Sequence, residues 1–503
     1  MSRHFVAAVG FVMLMLLAGC GGGVQQARPP RQVPGISASG GGIEEPAARA
    51  MAEEFDYHGW QAVRMSNDLV TLVVVPEIGG RILEYKLGAR PLLWINSDEL
   101  GRKYDADADL SIYHDFGGYH VQAVPEVGWQ SPADARTLSL DAGRWTHQII
   151  TARGRSVEVE LKSPADSEVT GLQITRTITL YAGTTDVQIS EKVENISDRQ
   201  VEWAIQHTSQ VPGVLKTDAE FSPESKLYFP LNSDSKHKRR FTYLTEGGLA
   251  QFDPIEDNSL MEVSYQRQAG RIGADSIAGW VAHLDGISNY AFVQRFTPTS
   301  LQDYPEQDST VTVRTATEHA YMEVGILTPV HTLAPGQSVE SRLQWSATRL
   351  TGPVRDVTDV AAIHEPVQVT KSGEQFKLTG KIGVFAPGEL VLTVRDRDGK
   401  PLIEPVKLAA SLTEMMVLDQ TLPVKEGAAS VVVELLNPTG SPLGEVANLS
   451  VAPTIARADQ DTGARATSAV DTDADKSVEA GATPSAAKSA TAPANKLKLD
   501  AGR

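Results

Sequence analysis

The chain has 503 residues, a net charge of −17 and a single cysteine. The length allows roughly two to four domains, and a 41% hydrophobic fraction supplies material for large cores. The acidic balance argues against a nucleic-acid partner, which needs a basic face to neutralise phosphate. One cysteine excludes an intrachain disulfide, multi-thiolate zinc and iron–sulfur sites. Neither a cofactor nor a metal is expected.

At the N-terminus, Arg3 and His4 precede an apolar run over residues 5–18 that only Gly10 interrupts. The run is shorter than the ~20 residues a spanning helix takes, and it suits the apolar segment of a signal peptide. It ends in Leu17-Ala18-Gly19-Cys20. This tetrapeptide resembles a bacterial lipobox. The resemblance implies a lipoprotein signal peptide over 1–20, cleavage before Cys20 and acylation of its thiol. It places the protein in the cell envelope, held in a membrane by its lipid. Gly21, where an aspartate would act as a retention signal, points to the outer membrane. Residues 21–50 are rich in Gly, Pro, Ala, Arg and Gln and read as a flexible tether.

From there the patterns are those of strands. Residues 70–75 form an apolar run, with only Thr71 polar, that stops at Pro76. Segments 156–161, 172–181 and 187–193 alternate with period 2, and Asn195-Ile196-Ser197-Asp198 turns the chain into Val201-Glu202-Trp203-Ala204-Ile205. Helical periodicity of useful length is missing. About 300 residues of antiparallel strand must stack or curl to bury one face, so 55–350 reads as a large sandwich of two extended sheets. All seven tryptophans fall between Trp60 and Trp345, and no aromatic residue follows Phe385. A boundary is therefore expected near 350–365. Segment 365–453, with short alternating runs and turns at Asp398-Gly399 and Asn437-Pro438, fits a small immunoglobulin-like β-sandwich. Residues 456–503 hold Ala, Thr, Ser, Asp and Lys without an aromatic, and are expected to be disordered.

Several motifs of the larger part resemble an uncharacterised bacterial family with the galactose-mutarotase-like β-supersandwich. They are Tyr57-His58-Gly59-Trp60, Val75-Pro76-Glu77-Ile78-Gly79-Gly80-Arg81-Ile82, Phe116-Gly117-Gly118-Tyr119-His120 and Pro125-Glu126-Val127-Gly128-Trp129. Two further segments resemble the aldose 1-epimerases: 201–207, ending in His207, and Tyr321-Met322-Glu323-Val324, followed by Leu333-Ala334-Pro335-Gly336. The fold implied is all-β, a large mutarotase-like supersandwich followed by the small sandwich.

The resemblance implies carbohydrate chemistry at two groups. Mutarotation opens a hemiacetal and recloses it. A carboxylate takes the proton of the anomeric hydroxyl, and an acid protonates the ring oxygen. Glu323 is the candidate base and His207 the candidate acid. Arg81, after two glycines, offers donors to sugar hydroxyls or a uronate. Tyr119, His120 and Trp129 are candidates for a sugar platform. The residues around His207 depart from the asparagine-rich epimerase pattern. That departure, with the envelope address, favours a carbohydrate-binding lipoprotein over an epimerase. The expected partners are a carbohydrate or glycan and, through Cys20, a membrane.

Overall fold

The computed structural model describes residues 49–104, 114–125, 138–219, 221–299 and 303–451. Cys20, the signal segment, the stretch 21–48, Trp129 and the tail 456–503 lie outside the described residues. Among the described residues the strands form sheets of 13, 10, four and four strands. The helices there are short, as at Leu138–Asp141 and Pro305–Asp308.

Alternation decides which side chains go inward. Leu172–Tyr181 pairs antiparallel with Val187–Asn195, Ile178 opposite Ile189 and Ile174 opposite Val193. Its buried set is Leu172, Ile174, Arg176, Ile178 and Leu180, every second residue. This strand belongs to the 10-stranded sheet. The 13-stranded sheet runs from Thr242–Tyr243 through Gly270–Ala274, Val311–Thr315, Tyr321–Leu327, Val201–Pro212, Tyr119–Val124 and Arg81–Leu87. It continues through Val70–Val75, Trp60–Ser66 and Ala50–Tyr57. One apolar core joins the inner faces of both sheets, with Val74, Tyr85, Val121 and Val324 from one and Ile178, Val281, Phe292 and Trp345 from the other. Each fully buried side chain of this kind stabilises by about 1.5–3 kcal/mol.

Strands from Asp356 to Ser450 form the two four-stranded sheets, which close over a second core including Phe376, Leu378, Leu390 and Val431. That sandwich covers part of the outer face of the 10-stranded sheet. Tyr228, Trp280, Ala282 and Val293, whose neighbours Leu227, Val281 and Phe292 face the main core, pack with Phe385, Ala362 and Val354. The Phe385 carbonyl accepts from Thr185 N at 2.8 Å and Thr184 Oγ1 at 3.1 Å, and Arg295 lies 5.3 Å from its ring.

Candidate functional site

The outer face of the 13-stranded sheet carries a polar patch beside apolar clusters around Trp60 and around Tyr304, and strand register says which residues share the patch. His120 pairs with Thr208, and Thr208 with Gly325, which pairs with Thr312. Gln210 pairs with Glu323, and Glu323 with Arg314, which pairs with Arg271. Partners across a ladder point the same way, and so do residues two apart. His120, Gln206, Thr208, Gln210, Thr312, Arg314 and Glu323 therefore stand on one face. Gly325 is a notch in it, where a Cβ would lie 2.4 Å from Thr312 Oγ1.

Arg81 enters this face from the turn after Pro76–Ile78. Gly79 and Gly80 have φ of +76° and +59°, and a Cβ on Gly79 would fall 1.8 Å from Asp141 O. Only glycine allows that approach. Arg81 is fully buried. Its Nη2 donates to Asp141 Oδ1 at 2.8 Å, and its Nη1 to Gly117 O at 3.0 Å and His120 Nδ1 at 2.7 Å. A guanidinium only donates, so Nδ1 of His120 accepts and the ring proton sits on Nε2. Burial pushes the His120 pKa well below its usual value, with the charges of Arg81, Arg176 and Arg314 adding to the effect. The ring is neutral. Its Nε2 lies 3.5 Å from Asp141 Oδ1 and has no hydrogen-bond partner among the described residues. Burial also pushes the Asp141 carboxyl up, against the pull of Arg81.

A second cluster stands beside the first. Gln210 Nε2 donates to Asp115 Oδ1 at 2.9 Å and to Glu323 Oε2 at 3.2 Å, which leaves Gln210 Oε1 buried without a partner among the described residues. Arg314 grips both oxygens of Glu323, Nε to Oε1 at 3.0 Å and Nη2 to Oε2 at 2.8 Å. Burial would raise the Glu323 pKa, but Arg314 and Gln210 hold it below the usual carboxylate value. Arg314 also donates to Tyr321 OH at 2.8 Å, and the Tyr321 ring lies 4.6 Å from that of half-buried Trp94. Arg271 pairs with Glu306 at 3.1 Å. Strand spacing puts the Cα atoms of His120 and Glu323 about 12 Å apart, with Thr208 and Gln210 on the strand between them.

The structure brings Arg81, His120 and Glu323 to one face, and it separates His207 from them. His207 pairs with Ile326, three positions from the Gln210–Glu323 pair, and an odd offset reverses the face. Its Nδ1 meets Tyr119 OH at 2.9 Å and its Nε2 meets Ser341 Oγ at 2.9 Å, inside the sandwich. The expected acid–base pair of His207 and Glu323 is thus corrected: the two side chains lie on opposite sides of a sheet. Tyr119 is corrected as a sugar platform too. It points inward with no exposure and donates to Glu191 Oε1 at 2.9 Å.

Sequence reasoning missed Gln210, Arg314 and Asp141. Arg314 follows Val311 and Val313 at alternate positions, so parity was the available signal there, whereas Gln210 lies between Ser209 and Val211 in a strand with polar residues of both parities. Asp141 had none, because a short helix, Leu138–Asp141, delivers it from a distant segment.

Residues 139–348 match a family model described as a domain of unknown function, DUF4380. No curated protein sequence matches the chain. Among solved structures it is similar to a galactose mutarotase-like protein from Clostridium acetobutylicum, at 10% identity over 59% of this chain and 98% of that one, with a TM-score of 0.41. It is also similar to a galactose mutarotase related enzyme from Lactobacillus acidophilus, at 12% identity over 59% and 99% of the two chains and a TM-score of 0.37. A galactose mutarotase-like protein from Lactobacillus casei gives 12% identity over 57% and 99%, with a TM-score of 0.36. At such identities and TM-scores none of these proteins lends its activity to this chain.

Proposed function

We propose that this protein binds carbohydrate at the polar patch on the outer face of its larger sheet without turning it over, and does so as a lipid-anchored protein of the bacterial cell envelope. The observation that carries the binding reading is a set of unmatched polar atoms, Arg81 Nε among them, on a face where the guanidinium charges of Arg81, Arg314 and Arg271 each meet a carboxylate. His120 Nε2–H is a donor and Gln210 Oε1 an acceptor, both buried and both without a partner among the described residues. Unmet buried groups each cost about 1–3 kcal/mol, a cost that a ligand with hydroxyls relieves, since each hydroxyl both donates and accepts.

Turnover fits the site poorly. A general base works best with a pKa near the operating pH. Glu323 is held the other way, ionised and with both oxygens occupied by Arg314. His120 is neutral, and His207 faces the interior. The test is a glycan array followed by NMR titration of the full chain with D-glucose, D-galactose and D-glucuronate. Saturable binding with unaccelerated anomer exchange is expected; accelerated exchange of any of these sugars would contradict the binding-only reading. The anchor is supported by the sequence around Cys20. Cys20→Ser should abolish acylation and membrane retention, and unchanged retention would remove the anchor.

A further inference from the structure

We infer that Arg176, which rises from the opposite sheet, is a positioning residue for this site: one buried guanidinium orients Arg81, His120 and Asp141 from beneath. Each of the three follows, in the chain, a residue that Arg176 holds directly or through one ring. Nη1 of Arg176 donates to Gly80 O, and Arg81 comes next. The guanidinium lies 4.9 Å from the Tyr119 ring, and His120 comes next. It also lies 4.9 Å from the Trp145 ring, whose indole N–H donates to Leu140 O at 3.0 Å, and Asp141 comes next. Along the strand, fixing Tyr119 inward sends His120 outward. At Gly80 and Leu140 the pinned group is the carbonyl one residue before the site side chain. A flat guanidinium suits this place, because it donates in its plane and stacks on rings with its faces, whereas an ammonium cannot.

Arg176 is itself held from below. Its Nε donates to Glu191 Oε1 at 2.5 Å, and Tyr119 OH donates to the same oxygen. The single proton of Tyr119 is spent there, so His207 Nδ1–H donates to the Tyr119 oxygen and Ser341 Oγ–H donates to Nε2. His207 thus steadies Tyr119 from the inner face.

The fold alone does not call for a charge here. Arg176 stands in the inward stripe of Leu172, Ile174, Ile178 and Leu180, opposite Glu191, with both side chains fully buried. Replacing a buried ion pair by apolar residues of similar size is often neutral or stabilising. The geometry that Arg176 imposes on the three residues above it is what a charge at this place supplies and an apolar pair would not.

The inference rests on the outer face being a ligand site, yet its main readout needs no ligand. The test uses the full chain labelled with 15N at histidine, His120 being assigned by its loss in His120→Gln. In the unsubstituted protein His120 is expected as the Nε2–H tautomer alone. R176M/E191L should stay folded, with a urea midpoint lowered only as far as the unmatched Gly80 O and Tyr119 OH demand, while His120 moves to a mixture of tautomers and affinity for the best binder among D-glucose, D-galactose and D-glucuronate falls about tenfold or more, the scale set by loss of a positioned hydrogen-bond set. A folded R176M/E191L with unchanged His120 signals overturns the inference. If that variant does not fold, Arg176→Lys, which keeps a cation for Glu191, should show the same change at His120; unchanged signals there overturn it equally. If the tautomer responds but none of the sugars binds the unsubstituted protein, Arg176 stands as a positioning residue and the carbohydrate reading fails.

Discussion

His120 and His207 stand on neighbouring strands, His120 opposite Thr208 and His207 opposite Val121. Both are buried, and both have pKa values pushed down, chiefly by burial. They differ in the face they take. His207 looks into the sandwich and has a partner on each nitrogen. His120 looks outward, has one nitrogen held by Arg81 and has the other unmatched. Burial and a depressed pKa therefore do not by themselves mark a working histidine, since they describe both rings. Unspent hydrogen-bonding capacity separates them.

The largest effect that sharpens this contrast is on stability. Glu191→Ala on the inner face strands the Arg176 charge in the core and should cost about 3–5 kcal/mol. Glu323→Ala on the outer face leaves Arg314 with Tyr321 OH as a partner and, at 33% side-chain exposure, within reach of water. With the Glu323 side chain itself only 12% exposed and hydrogen-bonded to Arg314 and Gln210, this change should cost less than the inner substitution, about 1–3 kcal/mol. Urea unfolding of the two variants measures the difference, and equal losses would erase the distinction between the faces.

Acid titration gives the next effect. An unfolded histidine takes its proton near pH 6.5, while burial holds folded His207 at about 3. Between those values the unfolded chain binds more protons, so stability falls as pH falls. The share of one such group reaches about 1.4 kcal/mol per pH unit. His207→Gln should remove that share of the slope below about pH 6.5. A slope that does not change would mean that His207 is already charged when folded.

How much of this could be read beforehand differs between fold and site. The alternation in 172–181 and 187–193 is enough to show strands, because a period of two has one structural meaning. The same alternation carries the two-face ambiguity that misplaced His207. Gln206-His207-Thr208 offers polar side chains to both faces, and a shift of one residue exchanges them. Which parity faces out depends on Tyr119–Val124 and Tyr321–Leu327, the strands on either side, and they are distant in the sequence. Arg81, His120 and Glu323 were legible because short motifs surround them. Arg176 was not singled out in the sequence, where a charge in an apolar stripe was the available signal, and its meaning needed Gly80, Tyr119 and Trp145 gathered around it.

A smaller effect concerns affinity. His120→Gln keeps an acceptor for Arg81 and removes the imidazole N–H. It should weaken saccharide binding by about 1 kcal/mol, roughly fivefold, the worth of one neutral hydrogen bond. Stability should change little. His207→Gln should do the reverse, lowering stability more than affinity. Isothermal titration and urea unfolding of both variants, run side by side, test the crossing pattern.

The most direct test of the ligand face is a histidine-labelled NMR titration of the full chain with its best-binding saccharide from the array. The account predicts that the Nε2–H resonance of His120 moves along a saturable curve, while both nitrogens of His207 stay essentially where they were. Saturable binding that shifts His207 and leaves His120 untouched would place the ligand elsewhere and contradict the assignment of the outer face.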